Sequence, residues 1–113
     1  MTDHTWNLWT VEKVEDLVAR EVRHLTSDAC ASWSTVRVPP EITTTSSGPG
    51  ADGQSYWVVA RRDDRVLYWD SIEEEFGTGR VRAGLLVDYR TYGEQLSWAL
   101  GRLLDDPNER LSG

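Results

Sequence analysis

An α+β fold, with a small mostly antiparallel sheet built on one central hairpin and packed against two main helices, is expected from three features of the sequence. Residues 55–69, SYWVVARRDDRVLYW, place two β-rich runs on either side of a polar turn, Arg62–Asp63–Asp64–Arg65. Residues 10–27 and 92–104 each carry apolar side chains three and four apart, the repeat of an amphipathic helix. A chain of 113 residues has material for a single domain around one core, so 1–113 is read as one domain.

The first helix is expected over 10–27. Thr10 caps it, Glu12 sits in its first turn, and Val11, Val14, Leu17, Val18, Val22 and Leu25 form its apolar stripe. Trp9, before the cap, pairs with Val14 as a hydrophobic staple. Lys13, Glu15, Asp16, Arg20 and Arg23 make a solvated face. Trp33 to Val38 alternates weakly and reads as a strand ended by Pro39 and Pro40. Residues 41–54, EITTTSSGPGADGQ, read as a flexible loop, of which ITTT can extend a strand. The hairpin of 55–69 is apolar on both faces of both strands, which suits a central position covered from two sides. LLVDY, 85–89, is a further short strand. The last helix, 92–104, buries Leu96, Ala99, Leu100 and Leu103, while Trp98 points almost opposite, beside Glu94, Gly101 and Arg102. An off-stripe tryptophan is either a lid over a second contact or an exposed anchor. Residues 107–113 are expected to fray.

Composition narrows the function classes. The net charge is −7, with acids spread over both halves, so nucleic acid is disfavoured as a direct ligand and a basic protein is favoured. No apolar run approaches the roughly 20 residues of a membrane helix, and the N-terminus MTDHTWNLWT lacks the basic start and apolar stretch of a signal peptide, so a cytoplasmic location is expected. Cys30 is the single cysteine and reads as a buried structural thiol. Six tryptophans supply core and possible interface anchors alike.

The stretch YWDSIEEEFGTGR, 68–80, carries the functional question. Ser71 and Glu74 have capping-box spacing, Gly77 suits a left-handed exit, and Ile72 and Phe76, four apart, would point inward together, so a one-turn helix is expected after Trp69. Glu73, Glu74 and Glu75 would splay about 100° apart on such a turn and could not share an ion. His4, His24 and Cys30 have no metal-site spacing to them, and no metal or cofactor is expected. No nucleophile elbow or recognisable histidine setting is present, and a paired-carboxylate glycosidase has no other support, so no catalytic role is expected. What remains is a rigid acidic patch, Asp70, Glu73, Glu74 and Glu75 with Asp63 and Asp64 at the hairpin tip, and Tyr68, Trp69 and Trp98 as apolar anchors.

An amphipathic leading helix, then VLYWDSIEEEFGTG, then YGEQLSWAL on a closing helix, resembles the small acidic immunity proteins of bacterial polymorphic toxin systems, over roughly residues 55–104. That resemblance implies an α+β fold, a cytoplasmic location, no catalysis, and binding to one cognate toxin, often a nuclease or deaminase with a basic cleft. The expected function is therefore inhibition of a basic toxin domain. The alternatives are a homodimeric accessory or adaptor protein, its two-sided apolar strands packing on a second copy, and a small metal-binding protein or enzyme.

Overall fold

The computed structural model describes residues 8–45 and 54–105. Three helices and five strands follow one another as α1 (Val11–Val22), α2 (Ser27–Val36), β1 (Arg37–Thr45), β2 (Ser55–Arg62), β3 (Arg65–Asp70), β4 (Glu75–Arg82), β5 (Leu85–Gly93) and α3 (Leu96–Leu104). The fold is α+β, as the sequence predicts. The sheet, however, closes into a barrel in chain order: every consecutive pair is antiparallel, and a short parallel ladder, Thr44 opposite Leu85 and Thr45 opposite Leu86, joins β1 to β5.

The hairpin explains why both of its faces are apolar. Tyr56, Val58, Val66 and Tyr68 point into the barrel and meet Leu86 there. Trp57, Val59, Leu67 and Trp69 point out and lie beneath the helices, against Val14 and Leu17 of α1, Trp33 and Val36 of α2, and Leu96, Ala99, Leu100 and Leu103 of α3. An extra residue in β2 shifts the register between Val58 and Ala60, and Ala60 joins the helix-side core with Val59. The expected stripe of α3 is buried in full.

Several local expectations are corrected. The helix of 10–27 is two helices. It stops at Val22, the chain turns over Arg23–Leu25, and Thr26 starts α2 by accepting a hydrogen bond from the Ala29 amide at 3.1 Å. Trp33 and Val36, read as strand residues, are three apart on the buried side of α2. Pro39 and Pro40 do not end β1. The ladder passes from Arg37 opposite Ala60 to Glu41 opposite Val58, four residues against two, so the prolines sit in a bulge where no ladder N–H is needed. Of the 41–54 segment, ITTT does extend a strand, and with Glu41 it completes β1; 46–53 and the tail of 107–113 lie outside the described residues. The last helix begins at Leu96, and Tyr92 and Gly93 belong to β5.

A further correction concerns EFGTGRVR, which is strand β4 and not the exit from a helix. Its glycines make room inside the barrel. A Cβ on Gly77 would lie 2.4 Å from the Tyr68 hydroxyl and 2.6 Å from the Arg90 carbonyl oxygen. Tyr68 therefore fills the barrel only because the facing strand has no side chain there. Burial raises the Tyr68 phenol above its ordinary pKa, and burial together with the Asp70 carboxylate pushes Tyr56 up to about 12.

At the other end of the hairpin, Arg62 and Arg65 hold α3. Arg62 donates to the carbonyls of Leu103 (3.5 Å) and Leu104 (2.6 Å), and Arg65 to those of Arg102 (2.6 Å) and Asp105. Two cations thus satisfy the open carbonyls at a helix C-terminus, where the dipole favours positive charge.

Candidate functional site: an acid-lined cleft at one end of the barrel

The turn joining β3 to β4 is Ser71–Glu74, and it is not a helix. Asp70 organises it: its Oδ1 accepts from the amides of Ile72 (2.9 Å) and Glu73 (3.1 Å), and its carbonyl accepts from Glu74 at 2.8 Å. Asp70 thus plays the part expected of Ser71, whose hydroxyl instead accepts from the Trp9 amide at 3.2 Å. The chain closes with Glu74 at φ 56°, a left-handed conformation that an L side chain adopts at a cost. Ile72 and Phe76 do not point inward together. Phe76 is fully buried, whereas Ile72 is 52% exposed on the turn.

Beside this turn, between it, α1 and the start of α3, lies a cleft of about 780 Å³. Trp9 and Trp69 line it with ring centroids 5.1 Å apart, and carboxylates come from three directions: Glu21 on α1, Glu73 and Glu74 on the turn, and Glu94 before α3. Two bases, Arg20 and His24, also line it. Trp9 is fixed by the Trp57 indole, which donates to its carbonyl at 2.8 Å. Glu21 has a structural duty as well. Its Oε1 accepts from the Leu96 amide at 3.1 Å and caps α3, whose own N-cap residue Gln95 makes no side-chain bond. The Trp69 Nε1 is buried without a hydrogen-bond partner.

The nine residues singled out by sequence separate into three groups. Glu73 and Glu74 are exposed and Glu75 half-buried, and none of the three makes an ion pair among the described residues. Trp98 is 55% exposed on α3, packed over Gly93 at the same barrel end, since Gly93 lies opposite Phe76 at the start of β4. Tyr68, Trp69 and Asp70 are buried and offer no contact surface: Tyr68 fills the barrel, Trp69 lies under Trp9, and Asp70 is folded into the turn. Asp63 and Asp64 are at the opposite end of β3, six residues away along a strand rising about 3.3 Å per residue. They cannot share a patch with Glu73. Asp64 is in any case paired with Arg80 at 3.2 Å and near Arg82 at 3.9 Å.

Sequence reasoning missed Glu21, Glu94 and Trp9 as neighbours of the acidic turn, and turned the exposed Ile72 inward. Trp9 does not act only as a staple; it stacks on Trp69 with Lys13 Nζ 4.0 Å from its ring centroid. Cys30 is half-buried, its thiol 3.6 Å from the Val22 carbonyl. Among the described residues no three His, Cys, Asp or Glu side chains converge as a metal site, and no helix is long and apolar enough to cross a membrane. Compared with known protein families, curated proteins and solved structures, the chain matches none.

Proposed function

We propose that the chain is a non-catalytic inhibitor of the immunity type, which docks a basic toxin domain on the acidic end of its barrel. The observation that carries this reading is the freedom of Glu73, Glu74 and Glu75: none is paired with an arginine among the described residues, and Glu94 across the cleft adds a fourth carboxylate. Exposed Ile72 and Trp98 stand at the same end and supply apolar contact area beside the charges, the mixture on which protein interfaces rely. The turn is stiff because Asp70 ties down three of its amides, so little conformational freedom is lost on docking. A homodimer through the hairpin has less support. Its two apolar faces, which suggested a second copy, are covered by the barrel interior and by the helices.

Glu73 and Glu74 are exposed, so their reversal leaves the fold intact and changes only the field. The test is growth protection. The inhibitor reading expects a toxin domain to be encoded immediately upstream, and the chain is co-expressed with that domain as wild type and as Glu73→Lys/Glu74→Lys. Protection by wild type and its loss in the variant are expected, with each desolvated charge contributing about 2–5 kcal/mol and each rim charge acting through the association rate. Equal protection by both proteins would remove this surface from the interaction; no protection by either would remove the inhibitor reading.

A further inference from the structure

The indole N–H of Trp69 narrows what the acidic cleft can take. Trp69 is 3% exposed, it lines that cleft, and its Nε1 is buried with no hydrogen-bond partner among the described residues. A tryptophan N–H taken out of water ordinarily finds an acceptor, so this one is a donor waiting to be used. We propose that the cleft receives an arginine of the docked partner together with a main-chain carbonyl beside it, the guanidinium lying among the glutamates and the carbonyl accepting from Trp69 Nε1. The partner is the basic protein of the inhibitor reading, on which this inference rests.

The cleft makes two demands at once. Carboxylates reach it from three elements, Glu21 of α1, Glu73 and Glu74 of the turn, and Glu94 before α3, against two bases, Arg20 and His24. Among the described residues neither base forms an ion pair with them. The acids therefore call for a cation. The indole calls for the opposite, an acceptor, because it can only donate. A free guanidinium or ammonium ion meets the first demand and fails the second, since neither has a lone pair to offer. A carboxylate meets the second and is repelled by the acids. A basic residue within a peptide chain meets both, with a cationic side chain and a neutral carbonyl. Arginine suits the place better than lysine. The acids stand on different sides, and a planar fork of five N–H donors bonds to more than one of them, where an ammonium is a single point charge. Leu17 and Leu25 also line the cleft and give apolar surface to the methylene stem. The volume of about 780 Å³ lies in the range of about 300–1,000 Å³ usual for small-ligand sites, which leaves room for a side chain and the backbone that carries it. The walls are set before anything docks. Trp9 is held at both ends of its backbone, its amide on the Ser71 hydroxyl at 3.2 Å and its carbonyl on the Trp57 indole at 2.8 Å, and Glu21 is tied to the start of α3.

The experiment is an NMR titration of the ¹⁵N-labelled full chain at constant ionic strength, following the backbone amides and the Trp69 indole N–H. The probes are N-acetyl-arginine N′-methylamide, its lysine counterpart, and methylguanidinium, which has the cation and no carbonyl. The arginine amide should give saturable shifts at Glu73, Glu74 and Glu94 and move the Trp69 indole proton downfield. Methylguanidinium should shift the glutamates, bind more weakly and leave the indole in place, and the lysine amide should bind more weakly than the arginine amide. Glu94→Gln, an exposed position, should weaken the arginine amide about three- to fivefold, the effect of one partly exposed ion pair. Asp63→Asn, the same loss of charge at the far end of the hairpin, should change nothing. An unmoved Trp69 indole, or binding equal in wild type and Glu94→Gln, would overturn the site. A lysine amide as tight as the arginine amide would overturn the choice of arginine. No toxin enters the titration, so the two readings fail separately. Arginine-amide binding without growth protection would keep the cleft's specificity and remove the inhibitor. Protection that is lost in Glu73→Lys/Glu74→Lys, with no saturable binding of the arginine amide, would keep the inhibitor and overturn this occupant.

Discussion

Gly77→Ala and Gly101→Ala are the same chemical change with opposite expected signs. At Gly77 the new methyl would sit 2.4 Å from the Tyr68 hydroxyl oxygen, 2.5 Å from the ring carbon bearing it, and 2.6 Å from the Arg90 carbonyl oxygen. The ring is rigid and enclosed in the barrel, and the carbonyl belongs to the paired strand β5, so neither yields cheaply. Overpacking of this kind costs about 1–3 kcal/mol, more where backbone must move. At Gly101 nothing lies within 4 Å of the added carbon, and the position is an exposed helix interior, where alanine is preferred by about 0.5–1 kcal/mol. For a chain of this length about 1 kcal/mol corresponds to about 4 °C in Tm. Equilibrium unfolding in guanidinium chloride should therefore place Gly101→Ala above wild type and Gly77→Ala well below it, the two differing by at least about 1.5 kcal/mol. A Gly77→Ala protein as stable as wild type would mean that Tyr68 does not occupy the barrel opposite β4, and the account of the interior would fall with it.

Tyr68→Phe should stabilise the protein by about 1 kcal/mol, because the buried hydroxyl is solvated in the unfolded chain and has no partner in the fold; denaturant midpoints read this directly, and a loss of stability would show that the hydroxyl is bonded. Stability should also fall in alkali. The phenols of Tyr56 and Tyr68 are raised in the fold, so their contribution is complete below the unfolded value of about 10 and is lost as pH rises through the folded values. For Tyr56 that window closes near 12. Midpoints measured across this window should drop for wild type and drop less for Tyr56→Phe. Glu74→Gly relieves a left-handed φ of 56° and should raise stability by about 0.5–1 kcal/mol while removing one carboxylate from the acidic end, so unfolding and toxin association should move in opposite directions.

The elements legible in the sequence are those whose reason is local and periodic. The hairpin, the cap at Thr10 and the buried stripe of α3 can each be read from spacing alone. Those missed have reasons elsewhere in the chain. β4 holds two glycines in three residues and has a low strand propensity; it is a strand because Tyr68, on β3, needs the space above Gly77. β1 tolerates two prolines because its register to β2 skips them. The turn after Asp70 has the spacing of a capping box, but a tight hairpin uses the same acidic and hydroxyl side chains to bind its own amides, and only the pairing of Asp70 with Glu75 separates the two. Tyr68, Trp69 and Asp70 look like surface residues next to three glutamates, yet strand alternation sends the first inward, the second under α1, and the third into the turn.

A net charge of −7 suggests a uniformly acidic molecule, and the antiparallel barrel makes that average misleading. β3 runs from Arg65 to Asp70 and β4 returns from Glu75 to Arg80 and Arg82, so acids meet acids at the Ser71–Glu74 turn, while at the other end the arginines gather with Asp64 paired among them. α3 follows the same polarity, with Glu94 before its start and Arg102 in its last turn, and its dipole is stabilised at the far end by Arg62 and Arg65. The surface field therefore differs from one end to the other, and composition reports only the sum. Fields from exposed charges fade over about 8–10 Å at physiological salt, about half the length of such a strand pair, so each end is felt mainly by its own surroundings. Reversing Glu73 and Glu74 should leave the Arg80–Asp64 pair untouched, and replacing Arg80 should leave the acidic end untouched, because the register keeps them apart.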